Sequence, residues 1–180
     1  MWQNGRLLAT CKDSKAHLNA YLDDYAYMLD ALLELIQAAF RQTDLTFACA
    51  LADVLLEQFE DKQNGGFFFT SHDHEHLIHR PKPGHDSSMP SGNGIAAFAL
   101  QRLGYLLGEV RYLDAAERTL ALYYPALSRH TGGFSSLLMT LQEHLTPPQI
   151  IMLRIKPGQS DLWRRPLLKH YGSDKLILML

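Results

Sequence analysis

Eight polar side chains crowd into residues 80–93, among them Arg80, Lys82, His85, Asp86, Ser91 and Asn93, spaced by Pro81, Pro83, Gly84, Pro90 and Gly92. His85 and Asp86 adjoin just ahead of a helix start. An imidazole and a carboxylate there could act as acid and base on a sugar, with Arg80 and Lys82 binding oxygens and Ser91 and Asn93 completing the site. An alternative stands beside this reading. Asp86, Ser91 and Asn93 could instead satisfy the loop's own backbone groups, with Ser91 or Asn93 capping the helix that follows. Asp24 is a third catalytic candidate. It falls on an apolar strip of its helix, where a carboxylate must be paired, hydrogen-bonded or facing a wet cavity. Its competing role is to bond a backbone group near the helix start. Neighbouring Asp23 points about 100° away, on a polar arc with Asp30 and Glu34, where a solvated role is expected. Tyr25 and Phe67 could stack on a sugar ring, or belong to the core.

His72, His74 and His76 alternate, so a strand would put all three on one face, as metal ligands sometimes are. His79 and His85 follow. The acidic neighbours Asp73 and Glu75 and the lack of nearby cysteines argue against a dedicated centre. Neither metal nor cofactor is expected. Cys11 and Cys49 follow no ligand spacing, and Cys49 reads as a buried free thiol.

The elements that must position these residues are helical. Leu22, Tyr25, Leu29, Leu32, Leu33, Ile36 and Phe40 recur at steps of three and four, predicting a helix from Leu18 to Phe40. A second apolar strip of Met28, Ala31, Leu35 and Ala39 predicts burial on more than one side. Further helices are expected at about Asp44 to Glu60, Gly94 to Leu107, Tyr112 to Leu127 and Phe134 to His144. The third is apolar nearly all round, and the second and fourth are amphipathic. The chain also repeats. Ala31-Leu32-x-x-Leu35 matches Ala99-Leu100-x-x-Leu103, and Leu45-x-x-Ala48 matches Leu113-x-x-Ala116, at an offset of 68; Gly65-Gly66-Phe67 matches Gly132-Gly133-Phe134 at 67. Repeated helical hairpins bury their faces by stacking on neighbours. The expected architecture is mainly α: a partial α/α toroid over residues 1–146, with odd helices inside and even ones outside. A small β-α-β segment follows over residues 147–180. Its strands are Gln149 to Arg154 and Lys175 to Leu180, and its helix is Asp161 to Tyr171. The last strand ends in mid-run, as a truncated chain would. Open apolar flanks and that strand edge predict self-association.

With 47% apolar and 20% charged residues, a net charge of −2 and 180 residues, the chain suits one packed domain. No basic surface advertises nucleic acid, and no apolar run reaches the length of a membrane span. The polar opening Met1–Arg6 is unlike a secretory leader, so a cytoplasmic site is expected.

Tyr21-Leu22-Asp23-Asp24-Tyr25-Ala26, Gly65-Gly66-Phe67-Phe68, and the run from Arg80-Pro81-Lys82 to Pro90-Ser91-Gly92-Asn93 together resemble the thioredoxin-domain-containing, spermatogenesis-associated family. The likeness covers nearly the whole chain. Ser87-Ser88 stands where a Gly-Ala-like pair is usual, and Gly94 where serine is frequent. The resemblance implies a C-terminal part of a protein that pairs a thioredoxin-like domain with a six-hairpin α/α toroid, similar to that of N-acylglucosamine 2-epimerases and six-hairpin glycosidases. It further implies a carbohydrate-binding or carbohydrate-modifying toroid, inactive in isolation, with a sugar ligand. The alternative is a non-catalytic scaffold that partners the thioredoxin-like domain.

Overall fold

The computed structural model describes residues 1–74, 78–156, 163 and 174–180. The chain opens with an element that hydrophobic periodicity does not announce. Strands β1 (Trp2–Gln3), β2 (Arg6–Lys12) and β3 (Lys15–Asn19) form an antiparallel meander. Two-residue turns join them, Asn4-Gly5 and Asp13-Ser14, all four residues at positive φ. Such turns match the twist of paired strands, and Asn-Gly is a strong hairpin signal. Residues 18–20, expected in the first helix, instead finish this sheet: Leu8 pairs with Asn19, and the Ala20 N–H donates to the Leu7 carbonyl.

Helix α1 therefore starts later and runs Leu22–Ala38. Helix α2 (Gln42–Val54) continues into one π-helical turn at Leu55–Phe59. After the long connection come α3 (Gly92–Leu107) and α4 (Val110–Leu127), then a 3-10 turn at Thr131–Gly133 and α5 (Ser135–Leu145). Ser91 caps α3, its Oγ accepting the Gly94 N–H at 3.1 Å. Gly108, in the left-handed region, ends it.

Helices α1, α3 and α5 pack side by side with α3 between the others; α2 backs α1 and α4 backs α3. The chain is thus mainly helical, with its long helices in adjacent hairpins. Small residues at Gly92, Gly94, Ala96, Ala97 and Ala99 bring α3 close to its neighbours, and α3 is buried from Gly92 through Gly104 save for Ile95. The main core joins Leu22, Ala26, Leu29 and Leu33 of α1 to Ala48, Leu51 and Leu55 and to Ala96, Ala99 and Leu103. Around α1 the two remaining faces are the reverse of the sequence expectation. Met28 and Leu35 on the second apolar strip are 40% and 39% exposed. Of the polar arc, Asp23, Tyr27, Asp30 and Gln37 are half-buried, while Glu34 and Arg41 are exposed.

Strands β4 (Gln149–Leu153) and β5 (Lys175–Met179) pair in parallel, Gln149 opposite Lys175 through Leu153 opposite Met179. The helix expected between them lies outside the described residues apart from Trp163. Strand β5 rests on α1, where the Ile177 N–H donates to Gln37 Oε1 at 3.3 Å. Among the described residues no helix is long and apolar enough to cross a membrane. The two Gly-Gly-Phe motifs differ in conformation: Gly65 and Gly66 both have positive φ, whereas Gly132 and Gly133 enter the 3-10 turn.

Candidate functional site

The connection between α2 and α3 is fixed by its own polar side chains. Asn93, fully buried, accepts the Phe67 N–H at 2.6 Å and donates to the Phe67 and Pro83 carbonyls at 2.9 Å. Lys82 Nζ reaches Asp61 at 2.8 Å and the Gly65 carbonyl at 2.9 Å. The Lys82 ammonium holds the Asp61 carboxyl well below the usual carboxylate range. Arg80 donates to the Thr70 carbonyl and lies 4.2 Å from the Phe68 ring centroid. The Tyr123 hydroxyl donates to the Lys82 carbonyl at 2.8 Å.

Asp86 ties this connection to two helix starts. Its Oδ1 accepts the Ser91 N–H at 2.8 Å and the Ser136 hydroxyl, and its Oδ2 accepts the Ser136 N–H at 2.9 Å. Burial alone would push Asp86 up, but the bonds from Ser136 and Ser91 outweigh it and hold the carboxyl below its ordinary value. The first turn of α1 meets the same place: a Cβ on Gly92 would run into the Asp23 carboxylate. Helices α1, α3 and α5 therefore run parallel and begin at one end, here called the mouth.

Asp23 differs from Asp86 in kind. Its buried Oδ1 finds no hydrogen-bond partner among the described residues. Burial pushes its carboxyl up, and the charge of Asp24 adds to the shift. Tyr27, whose hydroxyl donates to the Pro90 carbonyl at 2.6 Å, is raised by burial and by the charges of Asp23 and Asp86 together. One carboxyl at the mouth is thus raised by burial while another is held low by its donors.

The polar face continues away from the mouth. Arg102 grips Glu143 through Nε and Nη2 at 2.5–3.1 Å, reaches Glu34 at 3.0 Å, and lies 4.1 Å from the Phe98 ring centroid. Asp30 nearby is pushed up by burial and by Glu34 and Glu143, partly offset by Arg102. Phe98, Arg102, Met139 and Glu143 line a cavity of about 110 Å³. A wider, more open depression of about 510 Å³ lies along the π-helical turn, but its Glu60 and Asp61 are already paired with Arg118 and Lys82.

Several sequence expectations change place. Tyr25 is fully buried, its hydroxyl accepting the Leu7 N–H at 2.8 Å, and Phe67 is fully buried too, so neither ring is open to a sugar. Asn93 is closed off in the same way. Asp24 is exposed and accepts the Tyr21 N–H at 2.8 Å, the helix-start role weighed against catalysis. Ser91 is spent on capping, and Arg80 and Lys82 on the connection itself. His85 is exposed at the mouth, 5.4 Å from the Phe134 ring and edge-on to it. His72 and His74 lie in a turn rather than on a strand, and His76 lies outside the described residues. Asp23, Tyr27, Asp30, Arg102 and Ser136 were not among the candidates. The available signal was the repeat: at its offset of 68, Glu34 and Arg102 are equivalent positions of opposite charge.

Fold and site together define a mainly helical protein of packed hairpins with a polar, acid-rich face. No family model matches the chain. In an alignment 159 positions long that covers 83% of the chain, it is 30% identical to spermatogenesis-associated protein 20 of Homo sapiens and 29% identical to that of Rattus norvegicus. The chain spans 20% of the length of each, a partial match to a larger protein.

Proposed function

We propose that the polar face of α1, α3 and α5 is one wall of a carbohydrate-binding cleft in an α/α toroid, and that Asp23 is the group presented to the sugar. The toroid is the finer reading of the parallel inner helices backed by α2 and α4, and the rest of the cleft belongs to a larger protein of the relatives' kind. The observation that carries the proposal is the Asp23 carboxylate: half-buried, raised in pKa, and with one oxygen left unpartnered among the described residues at the convergence of three helix starts. Buried polar atoms in folded proteins are nearly always satisfied; the unpartnered oxygen packs against Gly92, and the half-buried remainder of the carboxylate is what a sugar hydroxyl, as donor or acceptor, would meet. Asp86 then serves as a positioning residue that locks the α3 and α5 starts.

A second reading has its own support. Arg80, Lys82, Ser91 and Asn93 are all engaged within the chain, as in a connection built to hold shape. That favours a non-catalytic scaffold for a thioredoxin-like domain. Titration of the chain with N-acetylglucosamine, N-acetylmannosamine, glucose and mannose, followed by ligand-observed NMR, separates the two. Saturable binding that Asp23→Ala abolishes and Asp24→Ala preserves is the expected result. No binding of any of the four into the millimolar range overturns the carbohydrate reading and leaves the scaffold. No turnover by the isolated chain is expected, because a single wall cannot exclude water.

A further inference from the structure

We infer that the flank of α1 bearing Met28, Ala31 and Leu35 is the docking surface for one more α-helix of the same repeat, laid parallel to α1. This inference does not depend on the carbohydrate reading. It rests on the internal repeat, whose offset of 68 assigns each α1 position a counterpart on α3.

The assignment can be checked against packing on both sides of α3. Ala26 and Leu33 correspond to Gly94 and Gln101. Those two residues meet α5: a Cβ on Gly94 would strike Ser136, the Gly94 carbonyl accepts the Thr140 hydroxyl at 3.2 Å, and Gln101 donates to the Thr140 carbonyl at 3.2 Å. Ala26 and Leu33 themselves belong to the core that α1 shares with α3. The same face of each helix therefore meets the next helix in order. On the opposite side, Asp24 corresponds to Gly92, and Gly92 is where α3 meets Asp23 and Leu22 of α1. Met28, Ala31 and Leu35 correspond to Ala96, Ala99 and Leu103, all three at 0% exposure in that shared core.

The contrast lies in what covers these positions. On α3 they are sealed by α1. On α1 they are open, an apolar strip with Met28 at 40% and Leu35 at 39% exposure. An occupant that reproduces the α1–α3 interface must show this strip what α1 shows α3, namely small and aliphatic side chains at the places of Ala26, Leu29 and Leu33. The relatives have room for such a helix, since the matched stretch is 20% of each. Repeat proteins extend in this way, by applying one interface again.

The test uses the full chain and a helix-stabilised, fluorescently labelled peptide of residues 20–40, whose face already fits Ala96, Ala99 and Leu103. Saturable binding is expected, weakened at least about tenfold by Leu35→Glu or by Ala31→Arg, since each buries an unpaired charge. Both side chains are exposed in the chain, so both variants should fold, and circular dichroism verifies this. Val110→Glu, an exposed apolar site on α4, should leave binding unchanged. A photocrosslinker at the peptide's first residue should label the Asp24 end of α1 and not the Ala39 end. Binding unaffected by Leu35→Glu would mean that the peptide displaces α1 from α3, and would overturn the inference. So would labelling at the Ala39 end, no binding by a peptide of verified helicity, or a dimer of the chain that Leu35→Glu dissolves and the peptide does not compete away.

Discussion

Replacing Asp23 by Asn should stabilise the folded chain at neutral pH. The carboxylate has one buried oxygen with no partner among the described residues, and burial raises its pKa. A raised carboxyl means that the folded state holds its proton more tightly than the unfolded chain does. Its contribution is therefore fully favourable below the ordinary carboxylate value of 3.8, and is lost as the pH rises through the higher folded value. Above the folded value the ionised group is held against its surroundings. An unsatisfied buried polar group costs about 1–3 kcal/mol, and the half-buried position of Asp23 calls for the low end. A gain of ~1 kcal/mol corresponds to about 2–4 °C in Tm for a chain of this size. Thermal unfolding of wild type and Asp23→Asn, followed by circular dichroism at pH 7 and pH 3.5, measures this. The variant should melt higher at pH 7, and the two curves should converge at pH 3.5. A loss of stability at pH 7, or a gain that does not depend on pH, would refute the reasoning, since either result means that the carboxylate is satisfied where it sits.

Asp86 should behave in the opposite sense. Its folded pKa is depressed, so its contribution is present above the ordinary carboxylate value and disappears as the pH falls through the folded one. Asp86→Ala should cost about 2–3 kcal/mol at pH 7, and its Tm gap to wild type should close in acid. Asn93→Ala strands the Phe67 N–H and two carbonyls inside the protein, a loss of about 3 kcal/mol that lowers the denaturant midpoint at constant slope. Gly65→Ala adds a Cβ at φ +78° that would meet the Arg118 carbonyl oxygen, whereas Gly5→Ala at φ +74° meets open space. The second should cost only the backbone strain of about 1–2 kcal/mol, and the first clearly more, in the same unfolding assay.

Elements with strong apolar rhythm were legible in the sequence. The stripe from Leu22 to Ile36, the nearly all-apolar run after Gly94 and the β4–β5 pair all have patterns that one packing arrangement explains. The N-terminal meander was not, because its strands are short and mostly exposed and only the turn chemistry of Asn4-Gly5 and Asp13-Ser14 marks them. Part of the connection's placement was legible too, since Asp86 and Ser91 do meet the starts of α3 and α5. The roles within it were not. Sequence ranks a side chain by the periodicity of its own helix, and Asp24 lies on the strip while Asp23 lies on the polar arc. Which arc faces solvent depends on the neighbouring helices. Here α3 lies along the polar arc, through Gly92 at Asp23 and Arg102 at Glu34, and nothing in the described chain covers Met28 and Leu35. The half-buried carboxylate is therefore Asp23, and Asp24 is the exposed one.

Parallel packing of α1, α3 and α5 has an electrostatic consequence that places the acids. Three helix dipoles point the same way, so partial positive charge accumulates at the mouth. Asp24, Asp86 and Asp23 all lie there. The first two answer the dipoles directly by accepting backbone N–H groups at Tyr21, Ser91 and Ser136, and Asp86 ends with a depressed pKa. Asp23 sits in the same field, yet its pKa is raised. The magnitudes account for this. A helix start favours a nearby carboxylate by about 0.3–1 kcal/mol where it is exposed, while an unsatisfied buried oxygen costs about 1–3 kcal/mol. For a carboxylate without hydrogen bonds to complete the contact, burial wins. The mouth therefore separates its acids by what they touch rather than by the field they share: donors from Ser136 and Ser91 hold Asp86 low, and burial with one oxygen unpartnered among the described residues raises Asp23.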